Sequence, residues 1–389
     1  MIKKGKEAPC FKINSREIVD LTRKLVRKET VNPPGKEYLT KDIVLKSLER
    51  LGAGITICGN RKRPNILGTI GEGKPSIAII SHMDVVPPGD GWKNHPFKPV
   101  VKRGRIYGRG AVDDKGPYAA GWAAVKAALE YGLPRKGTII LGAVSDEERG
   151  SEEGVKLLIK EGFHPDFCLI PDGGKINQAV IGEKGMLWIK LESRGKQAHG
   201  SSPSQGINAI AKLSKFILHL RDSDFGKNYH PRFTKTTLNW GEVKGGVAPN
   251  IVPGCCEATL DIRYPLGLTR GVVLRRIREE LREFKRGDSQ ADIRIKEILL
   301  GTKPHLIREN SKMVKAFLKA ARDVRLRLIL KTIGGNSLAK ELYFAGIPSL
   351  SHSPEEGESS AHRANESVKI DNLVKCARLW ATFLWELTG

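Results

Sequence analysis

Between Ser81 and Asp172, four short pieces place acidic or imidazole groups close to the end of an apolar, strand-like run. They are Ser81-His82-Met83-Asp84, the stretch from Gly108 to Gly116 that holds Asp113-Asp114, Ser145-Asp146-Glu147-Glu148, and Pro171-Asp172-Gly173-Gly174. Charged groups are costly to bury unless they are paired or bind a metal. A fifth piece, Ala361-His362-Arg363-Ala364-Asn365-Glu366, lies near the other end. The fold has to gather these pieces.

The runs themselves indicate how. Ile77-Ala78-Ile79-Ile80, Thr138–Val144 and Phe167–Ile170 are apolar on both faces, as central strands of an α/β sheet are. Each reaches its polar residues at its carboxyl end, where open α/β sheets place their sites. Pro64–Ile70 and Ser76–Ile80 read as two strands joined at Gly71-Glu72-Gly73, a hairpin-like turn. Ser15 can cap a helix that runs to about Lys28. After Gly185 the order becomes β-α-β-β-α-β, a small sandwich of sheet and two helices. The chain has 389 residues, more than one core usually holds. The expected organisation is therefore residues 1–185 and 301–389 as one α/β domain, with 186–300 inserted in it.

The formal charge of +23 raises the question of nucleic acid. The basic residues are scattered, with acidic ones among them. Arg275, Arg276, Arg278 and Arg282 share a segment with Glu279, Glu280 and Glu283. No zinc finger, recognition helix or aromatic-basic interleaving is visible, so a solvated basic surface is expected and no nucleic-acid partner. The six cysteines have no metal-knuckle or redox spacing and read as small buried hydrophobes in a reducing compartment. Met1–Asn14 has no apolar core of signal-peptide length, and no 18-residue apolar run exists. A cytoplasmic protein with no membrane partner is expected.

Any one acidic pair is also what a solvated turn or helix start looks like. Jointly the groups do more. If Asp113 bridges two ions, His82 with Asp172 completes one, and Glu148 with His362 completes the other. Each ion then has three protein ligands and an open place. Nitrogen among oxygen donors suits zinc, and cobalt or manganese accepts the same set. His82 and Asp84 are one residue apart and point the same way, so one can ligate while the other steadies the imidazole. Glu147 can then act as a base beside its neighbour.

The pieces resemble the M20 metallopeptidases, which include acetylornithine deacetylase, succinyl-diaminopimelate desuccinylase, carboxypeptidases, aminoacylase and dipeptidases. The likeness runs from about Ser15 to Leu387. It implies a zinc-peptidase-like α/β catalytic domain with an inserted, ferredoxin-like lid or dimerisation domain, and hence a homodimer. It also implies two divalent ions, with His82 and Asp172 on the first, Glu148 and His362 on the second, and Asp113 bridging. Asp84 orients the site, Glu147 is the general base, and the Asp113–Asp114 peptide bond is cis. In Gly195-Lys196-Gln197-Ala198-His199-Gly200, the resemblance makes His199 the group that steadies the oxyanion. It assigns Asn250, Arg263, Gly335 and Asn336 to substrate binding. One departure stands out. Many deacylases carry Gly-Gly-Thr-Ser-Asp-Ala-Arg where this chain has Gly334-Gly335-Asn336-Ser337-Leu338-Ala339-Lys340. The expected activity is a two-metal hydrolase cutting dipeptides or other small peptides. The alternative is an N-acyl amino acid deacylase.

Overall fold

The computed structural model describes residues 8–221, 224–226 and 229–389. The residues of the amino-terminal expectation that precede Ala8 lie outside that description. The chain divides into two compact units. The larger comprises Met1–Gly182, Ile307–Lys331 and Gly335–Gly389, and the smaller Glu183–Leu306 with Thr332–Gly334.

The larger unit is built on a mixed sheet. Its strands lie in the order Gly54–Gly59, Pro64–Glu72, Gly137–Val144, Ser76–His82, Phe167–Ile170, Ser349–Ser351 and Gln178–Glu183. The four from Gly137–Val144 to Ser349–Ser351 run parallel to one another. The expected hairpin between Pro64–Ile70 and Ser76–Ile80 does not form. Gly137–Val144 inserts between them, antiparallel to the first and parallel to the second. The reason is burial: both Ser76–His82 and Gly137–Val144 are apolar on two faces and take the middle. Gly142 makes the middle position fit, because a Cβ there would stand 2.4 Å from Ile80 Cδ1 and 2.8 Å from Leu67 Cδ2. The real hairpin is Gly54–Gly59 with Pro64–Glu72, closed by Asn60–Arg63. Ile55 and Ile57 on this edge strand remain exposed, which hides its alternation from a reading of sequence.

Helices Lys115–Glu130 and Ile370–Thr388 pack on this sheet, with Ser15–Val26 against both of them and Lys312–Asp323 against the second. Ser15–Val26 is capped by Asn14, whose side chain accepts from Arg16 N, one residue ahead of the expected Ser15. Lys115–Glu130 is buried almost all round, and its alanines let it lie close against Ile370–Thr388.

The smaller unit is a four-stranded antiparallel sheet in the order Thr237–Gly245, Cys255–Tyr264, Gly185–Arg194, Asp292–Thr302, with helices Ala209–Arg221 and Arg270–Gly287. Leu187, Ile189 and Leu191 alternate inward and meet Leu260, Ile262, Phe216 and Ile277 in its core. The fold is thus a mixed α/β domain with a separate small antiparallel sheet. All six cysteines are free; Cys168, Cys256 and Cys376 are buried, but Cys10 and Cys255 are exposed, against expectation. Among the described residues no helix is long and apolar enough to cross a membrane.

Candidate metal centre

The parallel strands deliver their polar residues to one edge. Ser76–His82 ends on His82, and Gly137–Val144 leads straight into Ser145-Asp146-Glu147-Glu148. Phe167–Ile170 ends two residues before Asp172. Asp113 stands just ahead of helix Lys115–Glu130, and its peptide bond to Asp114 is cis. His362 comes from the segment between Ser349–Ser351 and Ser367–Lys369, with a backbone φ of 61°.

Two groups of donor atoms form at this edge. One atom each from His82, Asp113 and Asp172 lies within 4.8 Å of the others, and the same holds for Asp113, Glu148 and His362. Asp113 belongs to both. Its Oδ1 is 2.8 Å from His82 Nε2, and its Oδ2 is 3.1 Å from His362 Nε2. His362 Nε2 is also 3.2 Å from Glu148 Oε2. One carboxylate therefore turns its two oxygens towards two different imidazoles.

The electrostatics favour cations. Burial pushes Asp113 up, yet the hydrogen bonds from His362 and His82 outweigh it and hold its carboxyl far below the usual range. Burial pushes His82 down, and Asp113 and Asp84 override that and keep it well above an ordinary imidazole. Asp113 and Glu148 push His362 up to about 11. Glu147 is held well above the carboxylate range by burial and, against the pull of His82, by the negative charge of Glu148, Asp172 and Asp113. Asp114 is fully buried with its Oδ1 lacking a hydrogen-bond partner, and it too is pushed up, by burial first. Carboxylates crowded this closely are stabilised by divalent cations. The residues fit two such ions: imidazole nitrogen with carboxylate oxygen on each, sharing Asp113.

The structure gives Asp84 a wider set of partners than its neighbouring imidazole. His82 Nδ1 lies 3.1 Å from the backbone oxygen of Asp84 and 3.5 Å from its carboxylate. That carboxylate accepts from Glu147 N and Glu148 N, both at 3.1 Å, and from Asn32 Nδ2 at 2.8 Å. It anchors the Glu147-Glu148 turn.

One residue without an assignment from sequence matters here. Glu366 is fully buried and accepts from Val112 N at 2.9 Å, Asp113 N at 3.3 Å and Arg109 Nη1 at 2.5 Å. It ties the Asp113 loop to the segment that carries His362. The signal was its place in one piece with His362, but its targets Val112 and Asp113 lie 254 and 253 residues away in sequence. Replacing Glu366 with alanine strands the buried Arg109 guanidinium. The expected cost is about 3–5 kcal/mol, read by urea denaturation.

His199, Asn250 and Arg263 belong to the smaller unit. His199 and Asn250 share one turn structure: His199 bridges to Ile251, and Gly200 N donates to Asn250 O at 2.7 Å. His199 Nδ1 is 2.7 Å from Ser201 Oγ. Arg263 forks onto Asp261, with Nε and Nη2 at 2.9 and 3.0 Å from its oxygens, and donates to Gly334 O at 3.3 Å. Gly335 is exposed, and the half-buried Asn336 has an Oδ1 with no hydrogen-bond partner.

Residues 78–386 match the family profile described as Peptidase family M20/M25/M40. The chain belongs to this family. A relative from Methanocaldococcus jannaschii, described as an uncharacterized metallohydrolase, is 34% identical over 83% of this chain and 84% of its own length. Another so described, from Methanococcus maripaludis, is 32% identical over 83% and 84%. Among solved structures, a tripeptidase from Staphylococcus aureus superposes with a TM-score of 0.76 at 24% identity, covering 96% of this chain and 98% of its own. A metallo-carboxypeptidase of the M20 family from Sulfolobus solfataricus gives 0.77 at 21%, covering 96% and 99%. These last two show that the M20 fold extends over nearly the whole chain.

Proposed function

We propose that the protein is a two-metal hydrolase that cleaves the amide bond of small peptides, in the manner of a dipeptidase or carboxypeptidase. The observation that carries this reading is Asp113, whose two oxygens address two separate imidazoles. His82 and Asp172 hold one ion with Asp113, and Glu148 and His362 hold the other. Two such ions, zinc suiting the donors best and cobalt or manganese accepting them, supply polarisation of the amide carbonyl and acidification of water. Glu147 takes a proton from the attacking water on its carboxylate and passes it to the leaving nitrogen. Asp84 keeps Glu147 and Glu148 in place through their backbone N–H groups. His199 stabilises the oxyanion, while Asn250, Arg263, Gly335 and Asn336 receive the substrate.

The absent aspartate and arginine after Gly335 favour free peptides over acylated amino acids as substrates. The proposal extends to the smaller unit, residues 186–300 in the sequence reading, as a lid through which two copies of the chain pair. It also extends to a cytoplasmic setting, which the free cysteines support. Hydrolysis of free dipeptides by protein loaded with Zn²⁺ or Co²⁺, beside N-acetyl-ornithine, N-acetyl-lysine, N-acetyl-methionine and succinyl-diaminopimelate, tests it. Turnover of dipeptides alone is expected. Turnover of one acylated amino acid alone replaces this reading with the deacylase, and no turnover with both ions bound overturns it.

A further inference from the structure

Behind the Glu147-Glu148 turn lies an ionic cluster of Arg63, Glu37 and Asp146, none of which belongs to either donor group. We propose that Arg63, working with Glu37 and Asn32, is a positioning residue that aims Glu147 and Glu148 by holding Asp146, the residue before them. The inference rests on Glu147 serving as the base.

The geometry is a relay from the far hairpin to the turn. Asn60 Oδ1 accepts from Lys62 N and Arg63 N at 2.9 and 3.0 Å, which fixes the loop that presents Arg63. Arg63 Nη2 lies 2.9 Å from Glu37 Oε1 and 2.9 Å from Asp146 Oδ1. Glu37 Oε1 also accepts from Asp146 N at 3.2 Å, so Asp146 is gripped at its backbone and its side chain. Asp146 Oδ2 accepts from Glu153 N at 3.0 Å. Asn32 Nδ2 closes the cluster, donating to Asp84 Oδ2 at 2.8 Å and Asp146 Oδ1 at 3.2 Å. Space is tailored to the guanidinium: a Cβ on Gly35 would stand 2.7 Å from Arg63 Cζ, and Gly35 has a φ of 82°.

The charges explain why the grip is needed. Glu37, Asp84 and Asp146 are all buried, and Arg63 is the cation that pairs with two of them. Asp146 has a φ of 66°, in the left-handed region that a residue with a side chain leaves readily unless it is held. Without Arg63 the buried Glu37 and Asp146 carboxylates lose their shared cation, and the turn is left to its weaker amide contacts with Asn32, Glu153 and Asp84. Glu147 then loses its aim, and so does Glu148, which belongs to one donor group only. His82 and Asp172, in the other group, do not depend on the turn.

The test is a set of variants read two ways: steady-state kinetics on a cleaved dipeptide, and calorimetric titration of chelator-stripped protein with Zn²⁺. In Arg63→Ala, kcat and the affinity of one of the two ions are each expected to fall about 10–100-fold, the usual effect of losing a supporting group. KM and the affinity of the other ion should stay as they were. Low, non-denaturing guanidinium should restore kcat to Arg63→Ala, because the site is partly open to solvent, and Arg63→Lys should be intermediate. Asn32→Ala removes only the amide link and leaves the ion pairs, so it should show the same split more weakly even if Arg63→Ala does not fold. The proposal is overturned if a folded variant keeps the parent's kcat and both affinities, if both ions weaken equally, or if KM rises while kcat holds. If the parent itself cleaves no amide, the hydrolase reading fails separately, and the titrations still decide whether Arg63 positions the turn.

Discussion

Glutamine in place of Glu147 is expected to leave both ions bound and remove most of the turnover, a fall in kcat of about 10²–10⁴-fold. The amide matches the carboxylate in size and in its neighbours, so the turn held by Asp84 stays where it is. What disappears is the ability to take a proton. In the parent, burial and the Glu148, Asp172 and Asp113 carboxylates raise the affinity of Glu147 for that proton, which suits a group that must carry it to the leaving nitrogen. Metal analysis of the purified variant beside its kinetics checks both halves. A variant that turns over like the parent removes Glu147 from the mechanism; one that loses its ions makes it a ligand.

Asparagine in place of Asp113 should have the larger structural effect. Its amide keeps one oxygen, so it can serve one ion and no longer share. The parent, stripped and then given Zn²⁺, should gain heat stability. An ion present at about 100 times its dissociation constant adds about 2.7 kcal/mol. The Asp113→Asn protein should lose that response for at least one ion, together with activity. Scanning calorimetry with and without Zn²⁺ reads it. An unchanged pair of responses would show that Asp113 does not bridge.

Much of the centre could be read from sequence because its side chains ride on strands with a plain signature. Ile77–Ile80 and Phe167–Ile170 announce buried parallel strands, and the acids stand directly beyond them. The alternation at Ala258, Leu260 and Ile262 likewise marks the small sheet. What stayed hidden was pairing between distant segments. Nothing local says that Gly137–Val144 slips between Pro64–Glu72 and Ser76–His82, since a three-residue turn rich in glycine serves a hairpin equally well. Nor does the sequence say that Glu366 grips the amides of Val112 and Asp113, or that Arg63 reaches Asp146. Ionic and amide contacts have no periodicity. They are set by tertiary closure, and a paired, half-buried arginine and a solvated one look alike in a basic chain.

The order of the pieces along the chain has a consequence for biosynthesis. His82, Asp113 and Asp172 all leave the ribosome before the smaller unit is made, while His362 follows it. Ser349–Ser351, which lies between Phe167–Ile170 and Gln178–Glu183 in the sheet, is also made late. A nascent chain therefore exposes one donor group, and an unfinished sheet edge, throughout translation of the smaller unit. The second donor group closes only with the final segment, so a product truncated before His362 would carry the residues for a single ion.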